Sequence, residues 1–172
     1  MLLLRLLPPV ILVALVVPLF IVPPGLAAIP ETKCDKVLVL KSKRVLMLLN
    51  EGKIIRIYKI SLGQHPRGHK RFSGDSRTPE GIYQIDARNA NSHYHLALHI
   101  SYPNPDDVMH ARELGRSPGG NIMIHGAPNK RKSFDKSTGA TNWTEGCIAL
   151  KNSDIEEMWY LVADGTPIEI QP

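Results

Sequence analysis

Cys147 and His125 are the residues of this chain whose types and surroundings fit nucleophilic chemistry. A thiol attacks a carbonyl only as its thiolate, and an ordinary cysteine has a pKa of about 8.5. It therefore needs a base within hydrogen-bond reach. Cys147 stands in Thr144-Glu145-Gly146-Cys147-Ile148. Gly146 permits a backbone shape that side chains block. Such a turn can aim the N–H groups of Gly146 and Cys147 at one point, an oxyanion hole for a tetrahedral intermediate. Thr144 can fix the turn by bonding to nearby backbone. A buried structural cysteine fits this segment equally well. His125 ends the apolar run Ile122-Met123-Ile124 and precedes Gly126, which holds a base rigidly at a strand end. A lone histidine there reads as a packed residue. The pair, a strand-end His-Gly followed by a Gly-Cys turn, selects a Cys–His dyad assembled by two adjacent strands. No Asp or Asn stands out as a third member, which leaves a backbone carbonyl to orient the imidazole.

The elements that must position this pair are mostly strands. Val37 to Leu40, Val45 to Leu49 and Lys53 to Leu62 are β-rich runs separated by polar turns, a three-stranded meander. Gly63 to Pro79 is a long loop rich in Gly, Pro, Ser, Arg and His, and long loops often carry function. Gly81 to Ala87 and Tyr94 to Tyr102 read as strands. Asn104 to Leu114 reads as a short helix stopped by Gly115. Ile122 to Ile124 is a short strand. A second loop, Ala127 to Trp143, carries Lys130, Arg131, Lys132 and Lys136. Asp154 to Val162 is the clearest helix, with Ser153 and Glu156 placed as a capping box. Thr166 to Ile170 is a closing strand. The expected fold class is mainly β with one or two short helices, in one domain.

The N-terminal stretch is different in kind. Leu6 to Val22 carries no charge, Arg5 precedes it, and Gly25-Leu26-Ala27 offers a small-x-small cleavage site. Residues 1–27 are expected to be a secretory signal peptide, with an uncleaved membrane anchor as the alternative. Pro8, Pro9, Pro18, Pro23 and Pro24 suit a membrane-spanning helix poorly. Residues 28–35 form a linker and 36–171 the folded domain. Formal charge is +5, and removing Arg5 with the segment leaves +4. A modestly basic exported protein suits an acidic polymer. Nucleic acid is excluded by the export signal and by the lack of a basic stripe with interleaved aromatics. Cys34 and Cys147 are too far apart in their settings to read as a disulfide framework.

With these residues in place the chain resembles the YkuD-type L,D-transpeptidase catalytic domain, also called the ErfK/YbiS/YcfS/YnhG family. The resemblance is carried by His125-Gly126, by Thr144-Glu145-Gly146-Cys147-Ile148, by Arg77-Thr78-Pro79-Glu80-Gly81-Ile82-Tyr83 and by Gly165-Thr166-Pro167-Ile168. It runs from about Lys36 to Ile170. It implies packed, curved sheets in an exported, periplasmic or envelope enzyme of cell-wall synthesis and cell shape. It implies no metal and no cofactor, with peptidoglycan peptide stems as partner. Cys147 would be the nucleophile and His125 the proton donor and acceptor. A tetrapeptide stem would form a thioester on Cys147 and pass to an amine, making a 3→3 cross-link. With water as acceptor the same dyad would be a carboxypeptidase or amidase that hydrolyses stem or protein-stem bonds. Gly126, His69, Lys70, Arg71 and His95 are the expected substrate-binding residues. In much of the family an Arg stands two residues after the nucleophile, where this chain has Ala149. A loop cation, Arg67, Lys70, Arg71 or one of Lys130 to Lys132, would replace it, and in a variant weakened by neutralising that cation Ala149→Arg would recover part of the loss.

Two rival classes are distinguishable. Seven histidines, with His93, His95 and His99 clustered, invite a zinc peptidase. In a strand of ~3.3 Å rise His95 and His99 lie roughly 13 Å apart, too far to share one ion through bonds of ~2.0–2.1 Å, and there is no His-Glu-x-x-His. The other rival is a non-catalytic wall-binding module in which Arg67, His69, Lys70, Arg71 and Arg77 grip carboxylates.

Overall fold

The computed structural model describes residues 33–130 and 138–172. The N-terminal segment through residue 32 and Arg131, Lys132 and Lys136 lie outside the described residues. Eight strands and two helices follow in the order β1 (Lys36–Leu40), β2 (Val45–Asn50), β3 (Lys53–Lys59), β4 (Gly81–Ser92), β5 (His95–Ile100), α1 (Pro105–Glu113), β6 (Met123–His125), β7 (Ile148–Ala149), α2 (Asn152–Leu161) and β8 (Pro167–Gln171). The strands form one sheet in the order β3-β2-β1-β8-β4-β5-β6-β7. The fold class is mainly β, as the sequence pattern implies.

The meander β1-β2-β3 is antiparallel, and β8 returns beside β1 in parallel. Strand β4 is the hinge of the architecture. Its first residues pair with β8 and its later ones with β5. Register shifts between Ile85 and Ala87 and between Asn89 and Ser92 bend it, because an extra residue on one strand increases local twist. These irregularities hide β4 from a period-2 reading, which ends it at Ala87. The far end of the strand turns at His93-Tyr94 into β5, so Tyr94 belongs to a hairpin turn and not to a strand.

Alternate residues of the strands fill one core. Val37, Val39, Leu46, Leu48, Ile85, Leu98, Ile124, Ile148 and Ile168 are fully buried. Helix α2 presents Ile155 and Met158 to the same core. Full burial of such a side chain stabilises by about 1.5–3 kcal/mol. The expected cap on α2 is absent. Lys151 is the N-cap and makes no side-chain capping bond, while Ser153 sits inside the first turn and bonds Asp154 Oδ1 at 3.2 Å. The capping box belongs to α1, where Asn104 and Asp107 each accept the other's backbone N–H. Cys34 and Cys147 are both free thiols. Among the described residues no helix is long and apolar enough to cross a membrane.

Candidate active site

Strands β6 and β7 run parallel, with Ile124 opposite Ile148 and His125 opposite Ala149. Ile124 and Ile148 point into the core, so alternation puts Met123, His125, Cys147 and Ala149 on the other face. Cys147 immediately precedes β7. Its Sγ accepts from the Met123 N–H at 3.4 Å and lies 3.6 Å from the Asn121 carbonyl. His125 and Cys147 line one cavity of about 460 Å³, together with Asn89, Ser92, His93, Tyr94, Met123, Trp143 and Glu145. The dyad residues named from sequence are thus brought to one face and one cavity.

The imidazole is held by backbone. His125 Nδ1 lies 2.7 Å from the Gly126 carbonyl oxygen. A carbonyl only accepts, so Nδ1 carries the proton and Nε2 is the basic nitrogen. Two aromatic rings wall it in. Tyr94 lies 4.5 Å and Trp143 5.7 Å from the His125 ring, centroid to centroid. Sequence reasoning missed both, since neither belongs to a motif.

The turn before Cys147 is clamped by Thr144. Its hydroxyl donates to the Cys147 carbonyl at 2.7 Å and accepts from the Gly146 N–H at 3.2 Å. This corrects the expected oxyanion hole, because the Gly146 N–H is already spent on Thr144. Among the described residues nothing accepts from the Cys147 N–H, which leaves it as the donor available to an oxyanion. Gly146 has φ +130°, and a Cβ there would lie 2.7 Å from the Arg77 carbonyl oxygen. Only glycine fits.

Burial disfavours the charged form of both groups. Burial pushes the His125 pKa down, and the Gly126 hydrogen bond offsets only part of this. Burial pushes the Cys147 thiol up, against the Met123 N–H and the charge of Lys70, which both lower it. Both shifts favour a neutral imidazole beside a protonated thiol over an ion pair.

Gly126, His69, Lys70, Arg71 and His95, the expected substrate-binding residues, do not line this cavity. Gly126 donates its N–H to the Tyr94 carbonyl at 3.0 Å, and a Cβ there would strike Asn152 Oδ1 at 2.5 Å. It orients His125 and does not line the cavity. His69 is tied to Asp107 at 2.9 Å, and His95 to Glu156 at 2.6 Å. Lys70 is 3% exposed and bonded to Asp75 at 2.8 Å. Arg71 lines a separate cleft. The three clustered histidines also part company: His93 faces the Cys147 cavity, while His99 meets Asp86 at 2.5 Å.

Ala149 is fully buried and is bridged to Ser61 through both backbone hydrogen bonds, each 2.9 Å. The residue has no exposed surface. Full burial gives an arginine at 149 no ready path to a substrate carboxylate, which runs against the expected partial recovery by Ala149→Arg in a loop-cation variant. The substitution should overpack the site and bury an unpaired charge, at a cost of about 3 kcal/mol or more. Denaturant unfolding checks this; a stability equal to wild type would show that the arginine finds an exit.

The L,D-transpeptidase catalytic domain model, YkuD, matches residues 35–170. The chain belongs to this family. A putative L,D-transpeptidase YafK of Escherichia coli K12 is 30% identical over 107 residues, 61% of this chain and 36% of that protein. The crystal structure of the helical cell shape determining protein Pgp2 from Campylobacter jejuni superimposes with a TM-score of 0.59 at 27% identity, covering 79% of this chain and 46% of that one. An L,D-transpeptidase from Mycobacterium smegmatis shares the fold, with a TM-score of 0.54 at 17% identity over 80% of this chain and 58% of that one. The chain thus spans about a third of the curated relative and under half of Pgp2. The family is one of the cell wall and acts on peptidoglycan stems.

Proposed function

We propose that this protein is an exported cysteine acyltransferase, an L,D-transpeptidase that acts on tetrapeptide stems of peptidoglycan through a Cys147 thioester. The observation that carries the reading is the placement of Cys147 and His125 on one sheet face and in one cavity, with Nδ1 committed to Gly126 and Nε2 left basic. Family membership supplies the substrate class.

The steps follow from this geometry. His125 Nε2 takes the thiol proton as Sγ attacks the carbonyl carbon at the L-centre of diaminopimelate. The Cys147 N–H donates to the oxyanion. The bond to D-alanine breaks, and His125 returns its proton to the leaving amine. A thioester remains on Cys147 Sγ, and His125 is neutral again. An amine of a second stem attacks, loses a proton to His125, and the thiolate leaves and is reprotonated. The product is a 3→3 amide.

Incubation with purified tetrapeptide muropeptides tests this, read by mass. A covalent adduct on Cys147 and 3→3 dimers are expected. Tripeptides without dimers at saturating acceptor would replace the transferase with a hydrolase that uses the same two residues. No adduct and no product would overturn the enzymatic reading.

A further inference from the structure

The loop between β3 and β4 is basic in sequence, yet the Cys147 cavity takes none of its cations. The reason is visible in how the loop is built. Asp75, 8% exposed, gathers the N–H groups of Arg71 at 2.6 Å, Phe72 at 3.3 Å and Arg77 at 3.1 Å, and receives Lys70 Nζ at 2.8 Å. Burial opposes its charge, but these donors hold the Asp75 carboxyl below its ordinary range. The carboxylate therefore fixes the loop with Lys70 turned inward. Arg67 and Arg71 are exposed and Arg77 is half-buried. None of the three guanidinium groups makes a hydrogen bond or ion pair among the described residues.

Two adjoining clefts share Arg77. One, of about 380 Å³, is lined by Gln64, His65, Pro66, Arg67 and Arg77. The other, of about 280 Å³, adds Arg71, His69 and His110, with Glu113 as its exposed acid. Asp107, which holds His69, is itself buried. Three unmatched guanidinium groups against one exposed carboxylate leave the groove net positive. A planar guanidinium pairs bidentately with carboxylates. Arg77 also adjoins the turn before Cys147, since its carbonyl oxygen would lie 2.7 Å from a Cβ at Gly146.

We propose that the Arg67–Arg77–Arg71 groove is a second binding surface, separate from the Cys147 cavity, for the carboxylates of further peptide stems on the wall polymer. Given the proposed function above, the polymer that supplies the reacting stem also supplies these carboxylates. Repetition of stems along the polymer makes weak contacts additive through avidity. The reacting stem is then delivered to Cys147 by a surface that does no chemistry.

The test uses the full chain carrying Cys147→Ala, so that the polymer stays intact and the outcome does not depend on turnover. Co-sedimentation with purified wall sacculi gives an apparent Kd and its salt dependence. Arg67→Gln with Arg71→Gln should raise that Kd on the order of tenfold at low salt and flatten the salt dependence, with an unchanged melting curve. Amidating the sacculus carboxylates should bring the unsubstituted chain to the same weakened level. A double variant that binds native sacculi as tightly as its parent would overturn the proposal. So would binding that survives amidation, or equal binding to anionic lipid vesicles that is lost with the same two substitutions, which would make the groove a general anion or membrane surface.

Discussion

Cys147→Ala should reduce product formation from tetrapeptide stems by on the order of 10⁴–10⁶, with the fold intact. The first half of that expectation follows from the chemistry: no other thiol is available, since Cys34 is 5% exposed, donates its backbone N–H to Leu161 at the end of α2 and does not line the Cys147 cavity. The second half follows from what the sulfur touches. It accepts one long hydrogen bond from Met123 and donates toward Asn121 at 3.6 Å. Losing these costs about 1 kcal/mol, a shift of a few degrees in melting temperature. The turn itself is held by Thr144 and by the glycine at 146, neither of which needs the thiol. Cys147→Ser should fare little better, because a hydroxyl gives up its proton far less readily to an imidazole whose basicity burial has lowered. Wild-type amounts of product from Cys147→Ala would remove the nucleophile from its assigned place.

The placement of His125 and Cys147 beside each other was readable because each sits in a local pattern: three apolar residues then His-Gly, and a Thr-x-Gly-Cys turn. The meander β1-β2-β3 was readable for the same reason, since tight turns punctuate it. What failed to show was whatever depends on contacts between distant segments. Lys70 reads as a loop cation, yet Asp75 folds it inward. Ala149 reads as a vacancy for an arginine, yet the folded chain buries it fully. Tyr94 reads as a strand residue, yet the register shifts of β4 move the hairpin turn onto it. Gly146 looked like an oxyanion donor until Thr144 claimed its N–H. In each case the side-chain types were correct clues to polarity, and the tertiary partner decided the role.

His125→Gln should lower the rate of acylation by about 10²–10⁴ and should also change its pH dependence in a specific way. In the wild type, burial holds His125 neutral to below the ordinary histidine range and holds the Cys147 thiol protonated to above the ordinary cysteine range. Between those limits both groups keep their resting protonation, so general-base attack should run at a nearly constant rate. As pH falls through the lowered His125 value, the base is lost and the rate drops. As pH rises through the raised Cys147 value, free thiolate forms and adds to the rate. Glutamine retains a donor that can reach the Gly126 carbonyl and keeps most of the packing against Tyr94 and Trp143, but it accepts no proton. The plateau should therefore vanish, and acylation should climb with pH in proportion to thiolate alone. Intact-mass measurement of adduct formation across pH, with a stem donor or a thiol reagent, reads this directly. Retention of the plateau in His125→Gln would place the base on another cavity residue, with His93 the imidazole next to Tyr94.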